Sequence, residues 1–269
     1  MRFGKKTALL TILTSLIFIL AGCHKSNNNN TVIKVGTIAG PETQLMAVAK
    51  TVAAKKYGLD IEIITFSDYN TPNEALNDGS IDANAFQHLP YLQQSMTAHG
   101  YKLKAIAKTF IYPMGLYSKR YHTLADIPQG TLVAIPNDPS NEARALLLLQ
   151  NAGLITLKEG GNDSSTPIDI LTNPKQLKIK PIDAPQLPRT LQDVGLAAIN
   201  TNYAVLADLL PERDALFVES KNSPYANLIV VRADGAETIN QQHLVDAFHS
   251  PEVVEAAKKL FKGQAMPAW

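Results

Sequence analysis

The segment Ile135-Pro136-Asn137-Asp138-Pro139-Ser140-Asn141-Glu142-Ala143-Arg144 carries the most pointed chemistry in the chain. It reads as a strand end running into a helix start, with Asp138 as the N-cap and Pro139 at the first helical position. Asn141 and Arg144 then lie three apart on one helix face, beside free backbone N–H groups at the positive end of the helix dipole. Such a corner suits an anion. Arginine presents a planar fork that takes a carboxylate in bidentate fashion, so a ligand with a free carboxylate is the natural occupant. By spacing alone, a surface arginine held in a salt bridge fits the same residues equally well.

Other chemistries lack their residues. The histidines are His24, His88, His99, His122, His243 and His249, and no two form an i, i+4 pair or cluster with carboxylates, so no metal site is expected. No nucleophile elbow, Walker sequence or glycine-rich dinucleotide fingerprint follows the N-terminal segment, which argues against an enzyme and against a bound cofactor. A formal net charge of +1 argues against nucleic acid as a partner.

Cys23, the single cysteine, closes Leu20-Ala21-Gly22-Cys23 behind an apolar run from Ala8 and a basic start at Arg2, Lys5 and Lys6. The apolar run is short for a transmembrane span, which needs roughly 20 residues. The arrangement resembles the lipobox of bacterial lipoproteins: a signal peptide over residues 1–22, then Cys23 carrying the lipid. Acyl chains hold a soluble domain firmly, each buried methylene contributing about 0.8 kcal/mol. Lys25, Ser26 and Asn27 to Asn30 follow as a polar tether, so residues 23–31 are read as a lipidated N-terminus and linker.

The elements that must position these residues alternate between strand and helix, the signature of an α/β fold with largely parallel sheets. Strands are expected at Val32–Ile38, Leu59–Phe66, Ile81–Phe86, Leu132–Ile135, Lys178–Ile182, Gly195–Ile199, Ala215–Val218 and Leu228–Arg232. Helices are expected at Thr43–Tyr57, from Pro72 to Asn77 behind a capping box at Thr71 and Glu74, at Leu89–His99 and at Pro139–Asn151. Shorter ones are expected at Leu187–Asp193, Asn202–Leu210, His243–Phe248 and Glu252–Phe261. Residues 158–174 read as a polar loop with a helical turn near Ile168–Leu171. Extended stretches near 103–117 and 225–233 are about one domain apart and read as crossings between two lobes, residues 32–115 plus 228–269 and residues 116–227. A single doubly wound domain is the alternative on length alone.

Five segments add a wider pattern: Asp82 to Tyr91, Tyr112 to Ser118, Asn137 to Arg144, Ala198 to Ala204 and Glu219 to Leu228. Together with the lipobox, and in this order, they closely resemble the NlpA/MetQ family, the methionine-binding lipoproteins of bacterial ABC importers. The resemblance implies a two-lobed periplasmic-binding-protein fold of type II, with two crossover segments and the ligand, L-methionine, between the lobes. By that similarity Arg144 would bind the substrate carboxylate with Asn141 beside it, and Asn202 and Asn227 would bind the polar head. Tyr69, Phe86, His88 and Tyr112 would wall the side-chain pocket. Without the resemblance, each aromatic is equally an ordinary core residue, His88 a structural histidine, and Asn202 and Asn227 turn or cap residues.

The implied protein is a monomer anchored to a membrane of the bacterial cell envelope through Cys23, with its domain outside the cytoplasm. Its partners would be a permease and an ATPase. A related receptor for another amino acid or a small dipeptide, or a surface lipoprotein with no transport role, fits the same sequence. No acidic residue within the five segments is an obvious partner for the substrate ammonium.

Overall fold

Gly40 and Gly58 bracket the first helix because both adopt positive φ, where a side chain would be strained. The helix α1 (Pro41–Tyr57) buries Leu45, Met46, Ala49, Val52 and Ala53 and ends as Gly58 donates back to the carbonyls of Ala53 and Ala54. It connects β1 (Val32–Ile38) to β2 (Asp60–Phe66), which pair in parallel. Parallel strands need such a crossover. A second crossover, α2 (Pro72–Asn77), leads to β3 (Ala83–His88), whose six residues are all buried. The computed structural model describes residues 32–220 and 222–269. The signal peptide, Cys23 and the tether expected from the sequence lie outside them.

Next come α3 (Leu89–His99) and β4 (Leu103–Ile111), after which the chain leaves the first sheet. The second sheet is built from β5 (Gly115–Tyr117), β6 (Leu132–Pro136) and, beyond α4 (Pro139–Asn151), further strands. Two short strands, β7 (Thr156–Leu157) and β8 (Ile170–Thr172), pair only with each other. β9 (Lys178–Ile182), α5 (Leu187–Thr190), β10 (Leu196–Ile199), α6 (Thr201–Leu206), α7 (Pro211–Asp214) and β11 (Ala215–Val218) complete this lobe. The chain then returns as β12 (Ala226–Arg232), which inserts antiparallel between β4 and β3. Helices α8 (Ile239–Phe248) and α9 (Pro251–Leu260) pack on α1, and β13 (Met266–Pro267) edges β4.

The result is a two-lobed α/β fold with a six-stranded sheet ordered β13-β4-β12-β3-β1-β2 and a five-stranded sheet ordered β11-β5-β10-β6-β9. Each sheet has its own apolar core, around Leu45, Phe110 and Phe248 in one and Leu116, Ile135 and Leu149 in the other. A third cluster belongs to both: Ile38 and Phe86 from the first sheet pack with Tyr117, Ala134, Ile199 and Tyr203 from the second lobe. A fully buried Ile or Phe contributes about 1.5–3 kcal/mol, so this seam binds the two lobes together.

The two chain crossings touch. Glu219 donates its N–H to the Met114 carbonyl at 2.9 Å, and Met114 donates its own to Glu219 Oε2 at 3.2 Å. Gly115, expected to close the first lobe, already pairs in the second sheet, while Ala226 and Asn227, expected in the second lobe, begin β12 of the first.

Local expectations differ from the structure in several places, and the sheets, expected to be largely parallel, are mixed, because β5, β11, β12 and β13 pair antiparallel with their neighbours. Thr71 has φ −96° and ψ −19°, a helical conformation, and its side chain caps nothing, so the expected capping box is not formed. Residues 103–117 are two strands in different sheets, parted at Tyr112-Pro113-Met114. In the polar loop, Ile170 and Leu171 are strand, and the helical turn is a single 3-10 turn at Pro167–Asp169. The strand expected from Ile81 starts at Ala83 and runs on to His88. Among the described residues no helix is long and apolar enough to cross a membrane.

Candidate functional site

The carboxyl end of β3, the start of α4 and the start of α6 meet between the lobes, each bringing short polar side chains to one cavity. The helix start of α4 forms as its sequence dictates. Asp138, extended at φ −73° and ψ 137°, accepts the backbone N–H of Asn141 at 3.0 Å. The same carboxylate accepts Asn141 Nδ2 at 2.9 and 3.2 Å. This fixes the amide, so its Oδ1 faces the opposite way. There it accepts from Asn200 Nδ2 at 2.8 Å and meets the His88 ring at 3.3 Å.

His88 ends β3 and caps α3. Its Nδ1 accepts the Tyr91 N–H, which leaves the proton on Nε2 to donate to Asn141. Burial, and next the Arg144 charge, hold its pKa down to about 3. The ring is therefore neutral across the physiological range.

Arg144, one helical turn beyond Asn141, is 4% exposed and its fork is occupied. Nε donates to Glu219 Oε1 at 3.0 Å, and Nη2 donates to Glu219 Oε2 at 2.5 Å and to the Tyr112 carbonyl at 3.0 Å. The Tyr225 ring lies 4.4 Å from Cζ, a cation–π contact. The sequence offered a free carboxylate-binding arginine or a surface salt bridge, and the structure has a third arrangement, a buried ion pair on the crossing between lobes. Nε and Nη2 of the guanidinium are thus spent on the protein.

All eight residues singled out in the sequence line this cavity: Tyr69, Phe86, His88, Tyr112, Asn141, Arg144, Asn202 and Asn227. The rings form a wall, with Tyr69 at 5.9 Å from Phe86, 6.0 Å from Tyr91 and 5.2 Å from Tyr203. Tyr112 stacks on Phe261 at 4.5 Å at the back of the first lobe. The lobes are tied across the mouth, where the Tyr69 hydroxyl donates to Asn202 Oδ1 at 2.8 Å. Thr201, at the start of α6, donates its hydroxyl to the Pro113 carbonyl in the crossing.

Five further lining residues were not singled out: Glu42, Gln87, Tyr91, Asn200 and Thr201. Glu42 matters most. It sits in the first turn of α1, 6% exposed, and Asn227 Nδ2 donates to its Oε1 at 3.2 Å and to the Phe86 carbonyl at 3.0 Å. Its Oε2 has no partner, and neither do Asn200 Oδ1 and Asn202 Nδ2. Burial raises the Glu42 pKa well above the usual carboxylate range, with the Asn227 bond opposing. Glu42 precedes the helix expected from Thr43, so nothing in the sequence marked it out.

Buried polar atoms are normally satisfied, and a cavity that gathers two orphan acceptors and an orphan donor is built for a small polar partner. The aromatic wall beside them gives that partner an apolar part. Among the described residues no group of three His, Cys, Asp or Glu side chains is placed to hold a metal ion.

A family model described as NlpA lipoprotein matches residues 33–269. The D-methionine-binding lipoprotein MetQ of Salmonella typhi is 52% identical over 252 residues, covering 93% of each chain. A periplasmic substrate-binding protein of an ABC transporter from Coxiella burnetii has a similar structure, with a TM-score of 0.85 at 60% identity over 88% of this chain and 100% of that one. A nutrient binding protein from Burkholderia cenocepacia, bound to methionine, gives a TM-score of 0.86 at 51% identity with the same coverage.

Proposed function

Since the chain belongs to the NlpA lipoprotein family, we propose that it is the substrate-binding receptor of a bacterial ABC importer and that its ligand is methionine, in the first instance the L form. One observation carries the reading: four polar and four ring-bearing residues, drawn from both lobes, line a single buried cavity. A methionine zwitterion has matching halves.

In this reading the ligand carboxylate approaches Nη1 of Arg144, the nitrogen that Glu219 and Tyr112 leave free, near Asn141 and the unpaired Nδ2 of Asn202. Asn202 and Asn227 hold the head, and Tyr69, Phe86, His88 and Tyr112 cover the side chain. A thioether gains about 0.3–1.5 kcal/mol from each good ring contact, which favours methionine over a plain aliphatic chain. Affinity per atom is limited to about 1.5 kcal/mol, so tight capture needs near-complete enclosure, and the interlobe seam supplies it. The closed form then docks on the permease, and ATP hydrolysis in a separate subunit reopens it. The protein performs no reaction and needs no cofactor.

The same reading places residues 1–22 as a signal peptide and residues 23–31 as the lipidated tether. It holds the monomer in the cell envelope through Cys23 with the domain outside the cytoplasm. The lobes divide near 115 and 228, to within the few residues that the strand pairing shifts. Calorimetric titration of ligand-free protein with the common amino acids and both methionine enantiomers tests the function. Methionine should give the strongest response; a flat methionine trace beside a strong signal from another solute would reject it.

A further inference from the structure

We infer that Glu42 is the counter-ion of the ligand's α-ammonium group and that it releases a proton to solvent when the ligand enters; this rests on the amino-acid receptor reading above. Oε2 of Glu42 is buried and unpartnered, and Asn200 Oδ1, a second unpartnered acceptor, lines the same cavity. Two orphan acceptors call for a donor with several hydrogens, and an ammonium has three.

The charges around Glu42 explain why no described residue fills that role. The ionisable groups that feel its charge are Tyr69 from the loop after β2, Tyr112 at the end of β4 and Tyr203 on α6. None is a cation. His88, from β3, is neutral, and the one cation in the cavity lining, Arg144 of α4, is paired with Glu219 of the crossing. Asn227 of β12 offers Glu42 a single amide hydrogen bond. A carboxyl group buried in such surroundings keeps its proton.

An arriving ammonium supplies the missing cation. The neutral acid then gives its proton to water and the carboxylate pairs with the ligand: Glu42–COOH and the ligand's NH3+ become a COO−/NH3+ pair plus one free proton. Charge and protons balance with no other reactant. It follows that Glu42 selects for a free α-ammonium. A hydroxy acid of the same shape brings no cation, leaves Glu42 protonated and gains no pair.

Isothermal titration of the full-length protein with L-methionine, at one pH in buffers of differing ionisation enthalpy, counts the protons. About one proton released per ligand is expected, with affinity rising about tenfold per pH unit on the acidic side of the Glu42 transition. Glu42→Gln should release close to none. The wild type should bind methionine on the order of 100-fold more tightly than its 2-hydroxy analogue, a gap that narrows in Glu42→Gln. Methionine binding with no buffer dependence in the wild type would overturn the inference and leave the receptor reading intact. Proton release that persists in Glu42→Gln would overturn it equally. Absence of methionine binding altogether would overturn the receptor reading, and this inference with it.

Discussion

Arg144 and Glu219 meet edge to edge across 75 residues of sequence, with both nitrogens of one guanidinium edge on both carboxylate oxygens. The pair is largely shielded from solvent and sits at the chain crossings, because the same Glu219 carboxylate accepts from Met114 and the same Arg144 nitrogen donates to Tyr112. One interaction therefore ties α4 of the second lobe to both chain crossings. A residue of the cavity lining is also a structural joint.

Arg144→Ala should reduce methionine affinity by about 2 kcal/mol or more, roughly the cost of an unpaired charged group. It should also lower unfolding stability by about 3–5 kcal/mol, because Glu219 is stranded in a buried site. Calorimetric titration and urea unfolding measure the two effects separately. Unchanged affinity would mean that the ligand carboxylate is held elsewhere.

Tyr69→Phe removes the hydroxyl that bonds Asn202 across the mouth and keeps the ring in the wall. The closed form should lose about 1–3 kcal/mol, since Asn202 Oδ1 is left without its donor. Stopped-flow dissociation of methionine should be faster, with unfolding stability affected less than in Arg144→Ala.

Two cavity residues act on stability in opposite directions as pH changes. His88, held at about 3 against an unfolded value of about 6.5, stays neutral in the fold while the unfolded chain takes up a proton. Its contribution is complete above about pH 6.5 and is lost as pH falls. Glu42 keeps a proton in the fold that the unfolded chain releases above about pH 4.3, so its contribution falls as pH rises toward its raised folded value. Each slope approaches about 1.4 kcal/mol per pH unit at most, and between the two unfolded values, about pH 4.3 and 6.5, they oppose each other. Relative to wild type, His88→Gln should make stability fall more with rising pH, and Glu42→Gln should make it rise. Urea midpoints across that range measure both tilts.

Gly115 begins β5 just past the crossing, and a Cβ there would stand 2.7 Å from the Tyr117 ring. Tyr117 is 1% exposed and has no room to yield. Gly115→Ala should cost about 1–3 kcal/mol by overpacking, read as a lowered urea midpoint.

The sequence was most legible where the physics is local. The Asp138 cap, the α4 face carrying Asn141 and Arg144, and the glycine stops at Gly58 and Gly100 all follow from neighbours within a few residues. The Arg144–Glu219 pair was hidden because nothing near either residue specifies a partner 75 positions away. Glu42 was hidden for a different reason: its burial comes from α6 and β12 closing over the first turn of α1, and its own neighbourhood reads as an ordinary helix start. Thr71 shows the converse. Its motif is present, but the backbone takes a helical turn that points the hydroxyl away from the cap. Strands as short as β7 and β13, two residues each, carry no periodicity to detect.

The apolar seam formed by Ile38, Phe86, Tyr117, Ile199 and Tyr203 has a calorimetric consequence. Parting the lobes would wet that hydrocarbon, and drying it again on capture lowers the heat capacity of the system. If the lobes close on capture, warming should make its enthalpy steadily more exothermic, with a slope that adds the ring and aliphatic area of the seam to the ligand's own apolar part.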